Sequence, residues 1–74
     1  MLETVKEVLL EYTEVPANEI TLATNLAADL DLNSLDIVNI VVAFEDEFGI
    51  EIPDRAIRDL TTVEDVVKYL ETHV

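Results

Sequence analysis

Residues 31–48 read DLNSLDIVNIVVAFEDEF, and the rest of the chain is organised around this stretch. One hydroxyl, that of Ser34, lies where a loop becomes a helical pattern, with carboxylates on both sides of it. The pattern continues without a break to Phe48 and is followed by Gly49, a residue suited to the left-handed conformation that ends many helices. The stretch therefore predicts a helix from about Ser34 to Phe48.

This predicted helix carries more apolar residues than one core-facing stripe requires. At about 100° per residue they separate into two groups, displaced by roughly a third of a turn. We expect the first group to face the core and the second to form an exposed strip running away from Ser34, with Glu45 and Asp46 alongside. The core group is Ile37, Ile40, Val41, Phe44 and Phe48, and the exposed group is Leu35, Val38 and Val42.

Amphipathic patterns on both sides predict two further long helices. The first runs from Leu2 to about Thr13, and Pro16 then prevents its continuation. Thr61 and Thr62 precede two acids in the order of a capping box, which marks the start of the last helix. The two apolar stripes are Val5, Val8, Leu9 and Tyr12 in the first helix and Val63, Val66, Val67 and Leu70 in the last.

The remaining segments are a short helix and a long loop. Pro53 is placed to open a helix from Asp54 to about Asp59. Residues 14–33 have no clear periodicity but contain Ile20, Leu22, Leu26 and Leu30, which indicate a loop pinned onto the core. We predict one all-α domain over residues 1–74, a small bundle of three main helices plus one short helix with a long first loop.

The charge balance excludes several classes of partner. Seventeen acidic and four basic residues give a net charge of −13, which disfavours nucleic acid and anionic lipid and favours partners with basic patches. No apolar run approaches the roughly 18 residues of a membrane span, and the first residues lack a signal peptide. Cysteine is absent. We expect a cytoplasmic monomer that neither binds nucleic acid nor inserts into a membrane.

Neither conventional catalysis nor a metal site is expected. His73 is the only histidine and lies next to the last residue, where chains usually fray. Asp29, Asp31 and Asn33 alternate like the first ligands of a calcium-binding EF-hand. The twelfth position of that loop falls on Ile40, which cannot replace the bidentate glutamate. The sequence therefore does not predict an EF-hand calcium site, because the glutamate on which calcium affinity depends is missing.

Ser34 has two interpretations on these residues alone. Asparagine and serine are both favoured N-caps, so that either Asn33 or Ser34 is suited to satisfy free backbone amides. Alternatively, the Ser34 hydroxyl accepts a phosphate-linked group, because the amides and dipole of a helix N-terminus favour negative charge.

A wider set of residues resembles the acyl carrier proteins of the free-standing bacterial type. Asp29-Leu30 is followed by NSLD at residues 33–36 and, further on, by EDEFGIEIPD at residues 45–54. The Thr61-Thr62-Val63 helix start and the Tyr69-Leu70 ending fit as well. The likeness covers nearly the whole chain.

The resemblance implies a carrier and not an enzyme. Ser34 would bear a 4′-phosphopantetheine arm, added from coenzyme A by a carrier-protein synthase, a phosphopantetheinyl transferase. The thiol of the arm would hold acyl groups as thioesters for enzymes of fatty acid, polyketide or related lipid biosynthesis, and Asp36 would engage the basic face of the synthase. The resemblance assigns partner recognition to Leu35, Asp36, Val38, Val42, Glu45 and Asp46, and the acyl-chain core to Ile37, Ile40, Val41 and Phe44.

Two departures from the family pattern bear on the partners. The family usually has Gly-Ala-Asp before the serine, where this chain has Asp31-Leu32-Asn33, and Asn39 stands where an acid is common. Fewer acids on the docking helix leave the choice open between the usual fatty acid enzymes and a specialised pathway. Two alternatives remain: a carrier of amino acids, of the D-alanyl or non-ribosomal type, and an acidic helical adaptor in which Ser34 is only a cap.

Overall fold

The computed structural model describes residues 1–73 and is all-helical over that range. It confirms the predicted class, with three main helices, one short helix and a long first loop. The helices are α1 (Leu2–Leu9), α2 (Ser34–Phe48), α3 (Asp54–Ile57) and α4 (Val63–His73), and a 3-10 turn spans Ala17–Glu19 within the loop.

The core is formed where α1 lies against both α2 and α4. Phe44 of α2 is completely buried there, together with Leu9 of α1 and Leu70 of α4. The predicted stripes of α1 and α4 are buried, except that Tyr12, beyond the end of α1, is half-buried. In the predicted core group of α2, the buried residues are Ile40, Val41 and Phe44, whereas Ile37 and Phe48 are half-buried.

Helix α2 ends as the sequence predicts. Gly49 has a φ of 66°, and its backbone N–H donates to the carbonyl of Glu45 at 2.8 Å. A residue with a side chain is disfavoured in this left-handed conformation, which accounts for the single glycine of the chain at this position.

Both the first and the short helix end earlier than predicted. After Leu9, the backbone N–H of Glu11 donates to the carbonyl of Val8 and that of Tyr12 to the carbonyl of Leu9. These hydrogen bonds join residues three apart, which is the pattern of tighter 3-10 turns and not of an α-helix. Helix α3 ends at Ile57 and is followed by similar turns to Leu60. Its predicted opener, Pro53, has extended backbone and occupies the position before the first helical residue.

The long loop is pinned to the core, but not by all four of the predicted residues. Ile20, Leu26 and Leu30 are buried, whereas Leu22 is 40% exposed and that part of the prediction is wrong. Thr24 takes the buried position instead, because its hydroxyl accepts from the backbone N–H of Thr21 at 2.8 Å.

Backbone bonds then tie this loop to the start of α4. The N–H of Leu26 donates to the carbonyl of Thr61 at 3.0 Å, and the N–H of Val63 donates to the carbonyl of Thr24 at the same distance. An isolated antiparallel bridge joins Asn25 and Thr62 between them. The loop before α2 and the segment after α3 are therefore held side by side.

The predicted capping box at the start of α4 is confirmed. The Thr62 hydroxyl accepts from the N–H of Asp65 at 3.2 Å, and Oδ2 of Asp65 accepts in return from the N–H of Thr62 at 3.0 Å. The N–H of Thr61 donates to the same oxygen at 3.1 Å. These bonds favour the ionised carboxylate and hold the pKa of Asp65 below its usual range, with the Thr62 amide as the main cause.

Replacing Asp65 with alanine should lower the free energy of unfolding at pH 7 by about 1 kcal/mol, the usual cost of losing a helix cap. The pKa of Asp65 is lower in the folded chain than in the unfolded chain. Its carboxylate therefore contributes its full stabilisation above the unfolded pKa of about 3.9, and this contribution is lost as the pH falls through the folded pKa. The difference between wild type and variant should therefore shrink below about pH 4. Urea titrations at several pH values test this, and a difference independent of pH would contradict it.

Candidate functional site

Ser34 is the first residue of α2 and is exposed. The N-cap is the residue before it, since Oδ1 of Asn33 accepts from the N–H of Asp36 at 2.8 Å. Oδ2 of Asp36 accepts in return from the N–H of Asn33 at 3.2 Å, which completes a capping box. The interpretation of Ser34 as only a helix cap is therefore wrong, and capping does not use its hydroxyl.

The loop that leads to Ser34 is held by its own polar side chains. Oδ1 of Asn25 accepts from the N–H groups of Ala27 and Ala28 at 3.0 and 2.8 Å, while a carboxylate oxygen of Asp29 accepts from the N–H of Asn25 at 2.8 Å. Leu32, which the sequence prediction did not place in the core, is buried. The serine thus follows a fixed segment.

Asp31 has a φ of 55°, the left-handed conformation in which a side chain is disfavoured. It stands three residues before Ser34, where the family that the sequence resembles usually has glycine. The loop therefore keeps a conformation that suits glycine while carrying an aspartate, one of the few residues that tolerate it.

Replacing Asp31 with glycine should raise the free energy of unfolding by up to about 1 kcal/mol, because the conformational cost at positive φ is removed. Asp31→Asn is the matched control, since it removes the same charge and keeps a side chain that tolerates this conformation. Thermal melting of both variants tests the prediction. Equal stabilisation by the two would mean that charge, and not backbone conformation, is responsible.

A cleft of about 310 Å³ opens beside Ser34, between the start of α2 and the segment from α3 to α4. Most of its walls are apolar, and its polar residues other than Ser34 lie on the loop before α2 and in the segment after α3. Ile37 is the member of the predicted acyl-chain group that lines it, whereas Ile40, Val41 and Phe44 lie in the buried core. The cleft is lined by Asn25, Leu26, Ala27, Ser34, Ile37, Val38, Ile57, Arg58, Leu60 and Thr61.

Several of these residues were not assigned to the site from the sequence. Asn25 and Ala27 come from the loop before α2, and Arg58 and Thr61 come from the segment between α3 and α4. Long-range backbone hydrogen bonds hold these two segments side by side near Ser34. The sequence marks Arg58 only as one of four basic residues in a strongly acidic chain.

The exposed strip of α2 lies where the sequence predicts it. Leu35 is 68% exposed, Val38 47% and Val42 48%. Large apolar side chains left in water on one helix face are typical of a surface that binds a partner.

The predicted acidic residues of the strip differ in their surroundings. Asp36 is half-buried and belongs to the capping box, and Oε2 of Glu45 accepts from the N–H of Ile52 at 2.8 Å. Asp46 is exposed. Two of the three acids therefore also stabilise the local structure, a role that their spacing on the helix did not predict.

Few of the charges in the described part of the chain are paired. Residues 1–73 contain one ion pair, between Lys68 and Glu64 at 3.9 Å, and no group of three or more acidic or histidine side chains arranged to hold a metal ion. Over the same range, no helix has the length and apolar character needed to cross a membrane. The acidic surface is thus available to a basic partner.

Comparison with known proteins agrees on one family. Residues 3–70 match the model of the phosphopantetheine attachment site. The chain is 44% identical over 71 residues to an acyl carrier protein of Thermobifida fusca, covering 96% of this chain and 90% of the relative. It is also 44% identical over 71 residues to an acyl carrier protein of Helicobacter hepaticus, covering 96% and 93%. Its fold is similar to that of an acyl carrier protein from Enterococcus faecalis, with a TM-score of 0.86, 29% identity and coverage of 99% and 92%.

Proposed function

The chain belongs to the acyl carrier protein family, whose members carry a covalent phosphopantetheine group, and we propose that Ser34 is the residue that bears it here. The observation that carries this proposal is the separation of two roles at the start of α2. Asn33 caps the helix, while the Ser34 hydroxyl is exposed one residue further on. Ser34 is also the only serine in the chain.

The surroundings of Ser34 fit a phosphate followed by a flexible arm. The N-terminal amides and dipole of a 15-residue helix favour negative charge at the hydroxyl. The adjoining cleft offers mostly apolar walls in which an arm or its cargo can be sheltered. When bound, the group supplies a terminal thiol that holds acyl groups as thioesters, which accounts for a carrier without cysteine.

Attachment requires one group transfer at Ser34. A bond forms between Oγ of Ser34 and the phosphorus of coenzyme A next to pantetheine, and the pyrophosphate link of coenzyme A breaks. The adenosine bisphosphate part leaves, and the hydroxyl proton passes to the synthase or to water. The chain itself contributes the exposed hydroxyl and the helix start that holds it.

The acyl cargo is proposed to lie between the helices, entering by the cleft beside Ser34. Ile37 forms part of the cleft wall, and Ile40, Val41 and Phe44 form the apolar interior behind it on the same helix. The protein acts as a cytoplasmic, monomeric carrier without catalysis of its own. The lack of catalysis is supported by the position of the single histidine, since the ring of His73 stacks on that of Tyr69 near the end of α4, with 4.0 Å between the ring centroids.

The partners are proposed to be a carrier-protein synthase and acyl-processing enzymes that present basic patches. They would dock on the exposed strip of Leu35, Val38 and Val42, with Asp36, Glu45 and Asp46 as its acidic border. The exposure of the three apolar residues and the net charge of −13 support this surface.

Replacing Asp36 with lysine should slow the modification of Ser34 by a carrier-protein synthase about tenfold or more, because a border charge near the reacting hydroxyl governs the rate of encounter. The same change removes an acceptor of the capping box, so a loss of about 1 kcal/mol in stability is expected as well. The rate is measured by intact mass against time, at a temperature where circular dichroism gives wild-type helix content.

Two control variants separate charge from capping. Asp36→Asn keeps an oxygen that can accept from Asn33 and should slow modification less than lysine does. Asp46→Lys makes the same charge change near the other end of α2, and should affect the rate less than Asp36→Lys. If Asp36→Lys is modified at the wild-type rate, Asp36 has no docking role.

Intact mass spectrometry tests the proposed function itself. The wild-type chain is incubated with coenzyme A and a promiscuous phosphopantetheinyl transferase. We expect complete conversion to a species heavier by one phosphopantetheine group. A chain that keeps its original mass under conditions that modify another acyl carrier protein would refute the proposal.

A further inference from the structure

Arg58 is the one charged side chain that lines the cleft beside Ser34. The sequence has seventeen acidic and only four basic residues, yet none of the acids lines this cleft. Arg58 is therefore the only charge among the lining residues of this cleft, on a protein that is strongly negative as a whole. A phosphate or carboxylate entering it would meet a cation in the wall and no acidic lining residue.

The guanidinium of Arg58 is available to a ligand. Arg58 is exposed, and the ion pair found within residues 1–73 is between Lys68 and Glu64. Arginine presents a planar fork of donors that matches the oxygens of a phosphate or carboxylate. The neighbouring walls formed by Ile37, Ile57 and Leu60 are apolar and offer no competing polar partner to such a contact.

Two neutral residues add hydrogen-bonding capacity to the same cleft. Oδ1 of Asn25 already accepts from the N–H groups of Ala27 and Ala28, so its NH₂ group is the end that can serve a ligand. The hydroxyl of Thr61 lies on a residue that also lines the cleft. The polar residues here are thus suited to donate to an anion.

We propose that Arg58 binds an anionic oxygen group delivered into the cleft from Ser34. This inference rests on the proposed function, because the group is attached through the Ser34 hydroxyl. The anion is either the phosphate of the attached arm or a carboxylate at the end of its cargo. In the second case, the protein prefers acyl groups with a terminal carboxylate to plain acyl groups of the same length.

Arg55, on the short helix α3 that ends just before Arg58, provides a matched comparison. It lies three residues before Arg58 and is also exposed, but it lines a different depression together with Glu45 and Glu51. Acids therefore line the depression beside Arg55, whereas no acid lines the cleft of Ser34 beside Arg58. Arg55→Gln and Arg58→Gln change the net charge equally and differ in their position relative to the site.

The side-chain N–H signals of arginine in nuclear magnetic resonance spectra test the proposal directly. The chain has two arginines, so Arg55→Gln assigns both Nε–H signals. Spectra are compared for the unmodified chain and for chains modified by a transferase with coenzyme A, hexanoyl-coenzyme A and adipoyl-coenzyme A. The two acyl groups have the same number of carbons, and only the adipoyl group ends in a carboxylate.

If Arg58 contacts the phosphate, its signal should move on modification with coenzyme A and should keep that new position when either acyl group is attached. A cargo contact predicts that it moves only in the adipoyl form. In the form that moves the signal, Arg58→Gln should lower the melting temperature by about 1–5 °C more than Arg55→Gln does, the size expected for an exposed ion pair in a small domain.

Two outcomes overturn the inference. If the Arg58 signal moves no more than that of Arg55 in all three modified forms, Arg58 does not bind the group, and the carrier function stands. If the mass of the wild-type chain does not increase, the proposed function fails and this inference fails with it. The mass is read before the spectra, so the two failures are distinguished.

Discussion

Replacing Ser34 with alanine should abolish phosphopantetheine attachment while changing the free energy of unfolding by no more than about 0.5 kcal/mol. Attachment needs a hydroxyl, and no other serine is present. Stability should be nearly unchanged because Ser34 is exposed and the capping bonds are made by Asn33 and Asp36. Intact mass and thermal melting measure the two quantities on the same sample.

Asn33→Ala is the matched counterpart, since it changes the neighbouring residue and reverses both expectations. Loss of its side-chain acceptor should cost about 1 kcal/mol, while the Ser34 hydroxyl remains to be modified. Attachment to Ser34→Ala, or a stability loss in that variant as large as in Asn33→Ala, would contradict the division of roles between the two residues.

Replacing Phe44 with alanine should have the largest effect on stability, a loss of about 3–5 kcal/mol. Phe44 is completely buried in the core between α1, α2 and α4, and its ring lies 6.4 Å from that of Phe48. A chain of this length is expected to have a total stability of only about 4–11 kcal/mol. The variant should therefore be partly or wholly unfolded under mild denaturing conditions, which urea titration measures.

Val42→Ala is the control on the same helix. Val42 is 48% exposed on the strip, so replacing it with alanine should change the free energy of unfolding by no more than about 0.5 kcal/mol. This pair also tests the assignment of the two apolar faces of α2. Similar losses at Phe44 and Val42 would mean that the strip supports the core and is not kept free for a partner.

The helices were predictable because their signals are local. Apolar periodicity placed α2 and α4, and Gly49 and the Thr62–Asp65 capping box marked an end and a start that the structure confirms. The two faces of α2 also followed from periodicity alone. The exposure of Leu35 and the burial of Phe44 agree with it.

The loop and the cleft were not predictable in the same way, because non-local bonds form them. The bonds from Leu26 to Thr61 and from Val63 to Thr24 join segments far apart in the sequence. They bring Arg58 to the cleft of Ser34, and no local pattern places it there. For the same reason the periodicity of α2 could not indicate that Glu45 also binds the backbone of Ile52.

The ends of α1 and α3 were overestimated because apolar spacing does not distinguish an α-helix from the tighter turns that follow it. Tyr12 keeps the spacing of the α1 stripe although α1 ends at Leu9. Leu22 was placed in the core by the recurrence of leucines in the loop, but the buried position belongs to Thr24. A threonine whose hydroxyl is satisfied locally can be buried where an apolar residue was expected.

The most direct test of the carrier function is a count of thiol groups before and after modification. The chain has no cysteine, so the unmodified protein should give no reaction with a thiol reagent. After incubation with coenzyme A and a phosphopantetheinyl transferase, followed by removal of small molecules, we expect one thiol per wild-type chain and none in Ser34→Ala. No thiol in the treated wild type, or one in both proteins, would contradict the assignment of Ser34 as the residue that carries the arm.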